Sequence, residues 1–138
     1  MVEVSIRRIR KGDRMKELSF VIKGELPTMN EIVAASKKHP MVYANMKKDF
    51  TALVMIHARN LPKISKSDFE ITWYCKDKRK DPDNLSGGIK FLMDGLVKAK
   101  VLDNDGWKQV NSITHDFEVD KDNPRIEVKI YELDMANC

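Results

Sequence analysis

Alternating apolar and polar residues predict strands in two early parts of the chain. In residues 16–23, KELSFVIK, the apolar side chains of Leu18, Phe20 and Ile22 share one face, which is typical of a strand with one buried side. Residues 68–76, DFEITWYCK, alternate in the same way. The short alternation Val2, Val4 and Ile6 comes before RRIRKGDR, which we interpret as a turn or a basic arm.

Helical spacing occupies the segments between these strands. Thr28 and Glu31 have the spacing of a capping box, so a short helix is expected to begin there and to be broken at His39–Pro40. A long amphipathic helix is predicted from Met41 to about Arg59. Its buried stripe is expected to contain Tyr43, Met46, Phe50, Leu53, Val54 and His57.

A third helix is predicted after Pro82, which fixes an extended approach. Asp83 or Ser86 is the candidate cap, and two glycines delay regular helix until about Gly88. Phe91, beside the buried stripe, is a candidate contact between two copies of the chain. The stripe itself consists of Leu85, Ile89, Leu92, Met93 and Leu96.

The last third of the chain predicts a β-hairpin, because two alternating segments flank a turn at residues 120–124. Their apolar faces contain Ile113, His115, Phe117 and Val119, and then Ile126, Val128 and Ile130. Strands and helices mix without a regular βαβ rhythm. We therefore predict a single α+β domain over residues 1–138, with helices packed on one face of a small mixed β-sheet.

Composition narrows the class of protein. The 138 residues fit one domain, and 42% hydrophobic content is enough for its core. No segment predicts a membrane span or a secretory signal, and two cysteines make a poor disulfide framework, so a reducing, cytoplasmic compartment is expected. The net charge of +4 permits nucleic-acid binding without establishing it.

The residues that could bind a metal ion or a phosphate lie mainly in residues 76–105. Asp81 and Asp83 are two residues apart, so in extended chain both carboxylates would point to one side and could reach one metal ion. Hard oxygen ligands favour Mg²⁺, with Mn²⁺ as a substitute. The alternative is a solvated turn that caps a helix.

Cations surround this pair of acids. Lys76, Lys78, Arg79 and Lys80 precede it and could contact phosphates, although such a run alone usually forms a solvated edge. Lys90 could stabilise negative charge on a phosphate, or could simply pair with Asp94 one helical turn later.

A second acidic group contains Asp103 and Asp105. An EF-hand is excluded, because Val101 and Ser112 would occupy the first and last ligand positions. The group alone is typical of a turn, and Trp107 after it is expected in the core or at an interface. His57 and His115 are interpreted as structural histidines.

The stretch KDPDNLSGGIKFLMDGLVKAKVLDND resembles the signature of RusA-type Holliday-junction resolvases, a family common in bacterial prophages. The matching positions are Lys80, Asp81, Asp83, Asn84, Leu85, Lys90, Asp94 and Asp105. Gly24, Pro27 and Asn30 resemble the N-terminal element of the family more loosely. Two differences are three extra residues around Ser86–Gly88 and Asn104–Asp105 in place of two aspartates.

The resemblance implies a homodimeric, Mg²⁺-dependent endonuclease that cuts four-way DNA junctions symmetrically, in DNA recombination and repair. It implies Asp81, Asp83 and Asp105 as metal ligands and catalytic residues together with Lys90, and Lys80 as a DNA contact. Asn84 and Asp103 are further candidates. Two alternatives stay open: a non-catalytic protein that binds junction or duplex DNA, and a basic structural domain with acidic turns.

Overall fold

The computed structural model describes residues 2–6 and 14–133, with side chains from residue 16 onward. Most of the segment predicted as a turn or basic arm, residues 7–13, lies outside the described residues. Three predicted helices and the two early strands are confirmed, with bounds within a few residues of those expected. The strands are β1 Val2–Ile6, β2 Arg14–Lys23, β3 Ser67–Cys75, β4 Val110–Val119 and β5 Arg125–Leu133, and the helices are α1 Met29–Lys38, α2 Pro40–Ala58, α3 Pro82–Leu85 and α4 Ile89–Lys98.

In the described part of the chain, the five strands form one mixed sheet in the order β1-β2-β5-β3-β4. The pairs β1–β2, β2–β5 and β5–β3 are antiparallel, whereas β3 and β4 are parallel. A parallel pair needs a crossover connection, and α3 and α4 provide it. The crossover places the chemically interesting stretch between the end of β3 and the start of β4.

The predicted C-terminal hairpin is wrong. β4 and β5 follow each other in sequence, but β3 lies between them, so Ile71 is opposite both His115 of β4 and Val128 of β5. The turn between β4 and β5 crosses the end of β3, where the Asp120 N–H donates to the Cys75 carbonyl over 2.8 Å. Alternation indicates which face of a strand is buried, but it does not identify the neighbouring strand.

The core lies between the sheet and α2 and α4. The apolar faces of β2, β3 and β5 contribute the sheet side, and Val54 of α2 with Leu92 and Leu96 of α4 contribute to the helix side. Phe91 is fully buried in this core and lies 5.9 Å from Phe50, measured between ring centroids. The prediction of Phe91 as a contact between two copies is therefore wrong, because its ring has no exposed surface to offer.

The crossing of α2 and α4 depends on a glycine. A Cβ added to Gly95 would overlap the side chain of Val54 and lie 3.1 Å from the Thr51 carbonyl oxygen. The two helix backbones therefore approach more closely than a larger residue would allow. No helix among residues 14–133 is long and apolar enough to cross a membrane.

Candidate active site

The acidic pair lies where the chain leaves β3 and enters α3. Asp81 is the N-cap of α3 and is extended, with φ −76° and ψ 149°, and Pro82 follows as the first helical residue. Asp83 is already in the first helical turn. The two acids therefore do not both lie in extended chain, contrary to the prediction, and neither Asp83 nor Ser86 is the cap. The Ser86 hydroxyl instead donates to the Asp83 carbonyl over 3.1 Å.

Both carboxylates of the pair are exposed to solvent. Among the described residues, neither the Asp81 nor the Asp83 side chain has an ion pair or hydrogen bond. A carboxylate that serves only to cap a helix would accept from a backbone N–H of the first turn. These two carboxylates retain their lone pairs for an external partner.

The backbone around the acidic pair is fixed against the start of α1. The Asn84 side-chain oxygen accepts from the Asn30 N–H over 2.8 Å, and this N–H is one of the free donors of the first turn of α1. A Cβ on Gly87 would lie 2.8 Å from the Met29 nitrogen, so only glycine permits this approach. The loosely matching N-terminal element therefore lies directly beside the acidic signature.

Lys80 is held by two carboxylates that the sequence did not associate with it. Its ammonium lies 3.4 Å from Glu25 and 3.7 Å from Glu31. Partial burial acts to lower the pKa of Lys80, but the charges and hydrogen bonds of Glu25 and then Glu31 outweigh burial, and the pKa is raised. The sequence identifies Glu31 only as the partner of Thr28 in a capping box, and no motif in the sequence identifies Glu25 as a partner of Lys80.

The rest of the basic run is more open. Arg79 pairs with Asp77 at 3.6 Å. Lys76 and Lys78 are exposed and have no ion-pair partner within the described ranges. The predicted DNA-contacting cations thus divide into two that are open and two that are already paired with protein carboxylates.

Lys90 follows the acidic pair along one helical path. Residues 86–88 form a single 3₁₀ turn between α3 and α4, and Lys90 is the exposed second residue of α4. A 3₁₀ helix has three residues per turn and rises about 2 Å per residue. Compared with a chain that lacks the three extra residues, Lys90 therefore stays on nearly the same side of the helix and lies about 6 Å further along it. The alternative pairing of Lys90 with Asp94 is absent among the described residues, where Asp94 lies 4.0 Å from Lys47 of α2.

Asp105 lies at the other end of the sheet. It borders a shallow surface with Val110 and its neighbours at the start of β4, whereas Asp81 borders a groove with Val119 at the end of β4. The ten residues of β4 separate these two places by roughly 30 Å. Asp103, beside Asp105, pairs with Lys63 at 2.6 Å. In the part of the chain that the structure describes, no three His, Cys, Asp or Glu residues lie close enough to hold a metal.

The groove beside Asp81 has a volume of ≈ 520 Å³. Its apolar floor is formed by Cys75, Pro82, Leu85, Phe117 and Val119, and its rim includes Lys78 and Lys80. Burial, and then the nearby Glu25 carboxylate, raises the pKa of the Cys75 thiol. A thiol with a raised pKa is a weaker nucleophile, so Cys75 contributes apolar surface to the groove.

The histidines serve the fold, as predicted. The Trp73 indole N–H donates to His115 Nδ1 over 2.9 Å, and His57 Nδ1 lies 2.8 Å from the Leu53 carbonyl oxygen. Trp107, by contrast, is 94% exposed, which excludes the predicted place in the core and leaves the predicted place at an interface as a prediction.

Residues 26–131 match the family described as Endodeoxyribonuclease RusA. This match covers most of the chain and includes the acidic pair, Lys90 and Asp105. The chain belongs to the RusA endodeoxyribonuclease family. A search among curated proteins gave no match.

Proposed function

We propose that this chain is a homodimeric, Mg²⁺-dependent endonuclease that resolves four-way DNA junctions by phosphodiester hydrolysis in recombination and repair. We place it in the cytoplasm of a bacterial or prophage-bearing cell. The observation that carries the proposal is the exposed pair Asp81 and Asp83. Their carboxylates lack partners among the described residues, and their backbone is anchored to α1 beside a basic edge.

The donor set suits a hard divalent cation. Mg²⁺ takes few protein carboxylates and keeps several waters, so Asp81 and Asp83 could provide the first ligands. Mn²⁺ would be an adequate substitute, because the same oxygen donors accept it. The bound ion would supply activation of water and polarisation of the scissile phosphate. The chain itself holds the two carboxylates on a fixed turn, where the backbone N–H groups of Asn84 and Leu85 both donate to the Asp81 carbonyl over 3.0 Å.

The position of Asp105 supports a site shared between two copies of the chain. Asp105 belongs to the matched signature, but it lies near the start of β4, whereas Asp81 borders the groove at the end of β4. A two-fold axis beside the middle of β4, perpendicular to the sheet, would place the β4 strands of two copies antiparallel to each other. It would bring Asp105 of one copy toward the acidic pair of the other. Two such sites suit a substrate that is cut on two strands.

The basic residues have different parts in this proposal. Lys90 lies about two helical turns beyond Asp83, where its charge would be most useful as negative charge grows on the phosphate. Lys76 and Lys78 are free to contact the DNA backbone and to offset repulsion from the acids. Lys80 and Arg79 would first have to exchange carboxylate partners for phosphates.

Cleavage of a labelled four-way junction tests the proposal. Wild type should cut the junction with Mg²⁺ and not with EDTA, and should cut duplex and single strand much more slowly. Asp81→Asn should abolish cutting while it leaves junction binding intact, because removal of negative charge does not repel DNA. Junction binding without Mg²⁺-dependent cutting by wild type would contradict the proposal and favour the non-catalytic DNA-binding alternative.

A further inference from the structure

Trp107 is anchored by its backbone and yet packs against almost nothing in its own chain. Its side chain is 94% exposed, more than any other large apolar residue described. The turn that carries it is well tied, because the N–H groups of Gln109 and Val110 donate to the Gly106 carbonyl over 3.1 and 3.0 Å. Tryptophan buries 150–250 Å² when it is enclosed, and it is enriched among residues that dominate interfaces. An indole that is held in place but left exposed is therefore typical of an interface residue that binds in a pocket of a partner.

We propose that Trp107 docks into the apolar groove beside Asp81 of a second copy of this chain, as the main anchor of a two-fold dimer. The inference rests on the proposed function only in taking the protein to be a homodimer. The groove has the right character for an indole, since its ≈ 520 Å³ are floored by Cys75, Pro82, Leu85, Phe117 and Val119. Its rim carries Lys78, which would meet the negative charge of Asp105 beside the incoming indole.

The topology places the anchor and the groove at opposite ends of one strand. Trp107 comes three residues before β4 begins, and the groove continues from Val119, where β4 ends. Among the described residues β4 pairs only with β3, so its other edge is open. If two β4 strands pair antiparallel with Thr114 opposite its own equivalent, the apolar faces stay on one side, and Trp107 lies two residues, about 7 Å, beyond the partner's Val119, at the groove.

The surface of β4 is consistent with this pairing. Ile113 and Val119 lie on the helix-facing side of the strand, yet they remain 38% and 48% exposed because no helix extends over this edge. Antiparallel pairing would join the apolar rows of the two copies, in which each patch meets its own equivalent. Base stacking on Trp107 is the alternative, and the junction-affinity measurement below separates it from docking.

The test combines sedimentation with acrylamide quenching of tryptophan fluorescence. Wild type should dimerise at micromolar concentration and should become harder to quench as it does so, because Trp73 is buried throughout and Trp107 is covered only in the dimer. Trp107→Ala and Val119→Glu should each raise the dimer dissociation constant at least tenfold. Ile56→Glu, on the exposed side of α2, should leave the constant unchanged.

Unfolding curves and junction assays on the same preparations separate the outcomes. At concentrations where both proteins are monomeric, Trp107→Ala should unfold like wild type, since the exposed side chain contributes little to the monomer. A Trp107→Ala protein that dimerises like wild type overturns the inference, and loss of junction affinity in that dimer would identify Trp107 as a DNA contact instead. A wild type that stays monomeric also overturns it. A wild type that dimerises through Trp107 but cuts no junction contradicts the proposed function alone.

Discussion

The bond between Asn84 and Asn30 gives the sharpest stability prediction. It joins α3, which carries Asp83, to the free N–H groups at the start of α1. Asn84→Ala removes the acceptor without adding bulk. Asn84→Asp keeps an acceptor oxygen and adds a negative charge at a helix N-terminus, where such a charge is favourable.

The magnitude follows from the geometry. A side-chain oxygen that satisfies a first-turn N–H contributes typically ~1 kcal/mol, and this bond is short at 2.8 Å. Asn30 is exposed, so water can replace the lost acceptor and no large desolvation penalty is added. Asn84→Ala should therefore lower the free energy of unfolding by about 1 kcal/mol, which corresponds to roughly 3 °C in melting temperature for a domain of this size.

Urea and thermal unfolding followed by circular dichroism measure this change, with Asn84→Asp as the matched control. Asn84→Asp should melt at or above the temperature of wild type. Asn84→Ala should also slow junction cleavage more than it weakens binding, because α3 loses one of its ties to the fold. Equal stability of Asn84→Ala and wild type would show that the bond contributes no free energy and that the packing of Gly87 alone fixes the turn.

Three further predictions concern the core, the sheet and the active site. Gly95→Ala should destabilise the fold by about 1–3 kcal/mol, and Val54→Ala in that background should recover part of the loss, which a double-mutant cycle would show as coupling. Burial lowers the pKa of His115, although Asp116 acts to raise it. The free energy of unfolding therefore has its full value above the ordinary pKa of 6.5, and it decreases as the pH drops from there through the lowered pKa of the folded state. Urea unfolding between about pH 8 and pH 5 should show this loss in wild type and a smaller loss in His115→Gln. Lys90→Ala should lower the single-turnover rate on a saturated junction with little change in affinity, and normal cutting would remove Lys90 from the site.

Local sequence signals predicted the elements of this fold well. The capping box of Thr28 and Glu31 located α1, and both of its hydrogen bonds are present. The alternation around Ile71 located β3 and its buried face. The delayed start of α4 at Ile89 follows from the two glycines before it. Each of these signals depends on residues within one or two turns of chain.

The failures concern contacts between distant residues. Nothing in the alternation of β4 and β5 shows that β3 inserts between them. Phe91 belongs to the helix stripe, but its burial depends on Phe50 in another helix. The partners of Lys80 are likewise about 50 residues away in sequence. Local patterns fix an element and its faces, whereas its neighbours are set by tertiary packing.

The sequence predicted which residues form the candidate site, but it predicted their relative positions only in part. The spacing of Asp81 and Asp83 identified the acids, but Pro82 starts a helix between them. Nothing in the sequence predicted that Asp105 lies near the start of β4, whereas Asp81 lies near its end. That separation follows from the parallel pairing of β3 and β4, which only the structure provides.

Subunit complementation distinguishes an active site shared between two copies from an active site within one chain. Asp81→Asn and Asp105→Asn proteins are each expected to be inactive, and a 1:1 mixture is allowed to exchange subunits before junction cleavage is measured with Mg²⁺. If each site takes Asp81 from one copy and Asp105 from the other, a mixed dimer carries one doubly altered site and one intact site. The mixture should regain roughly a quarter of the wild-type nicking rate, because about half of the dimers are mixed and each has one of two sites intact. A mixture as inactive as its two components, beside an active wild type, would contradict a shared active site.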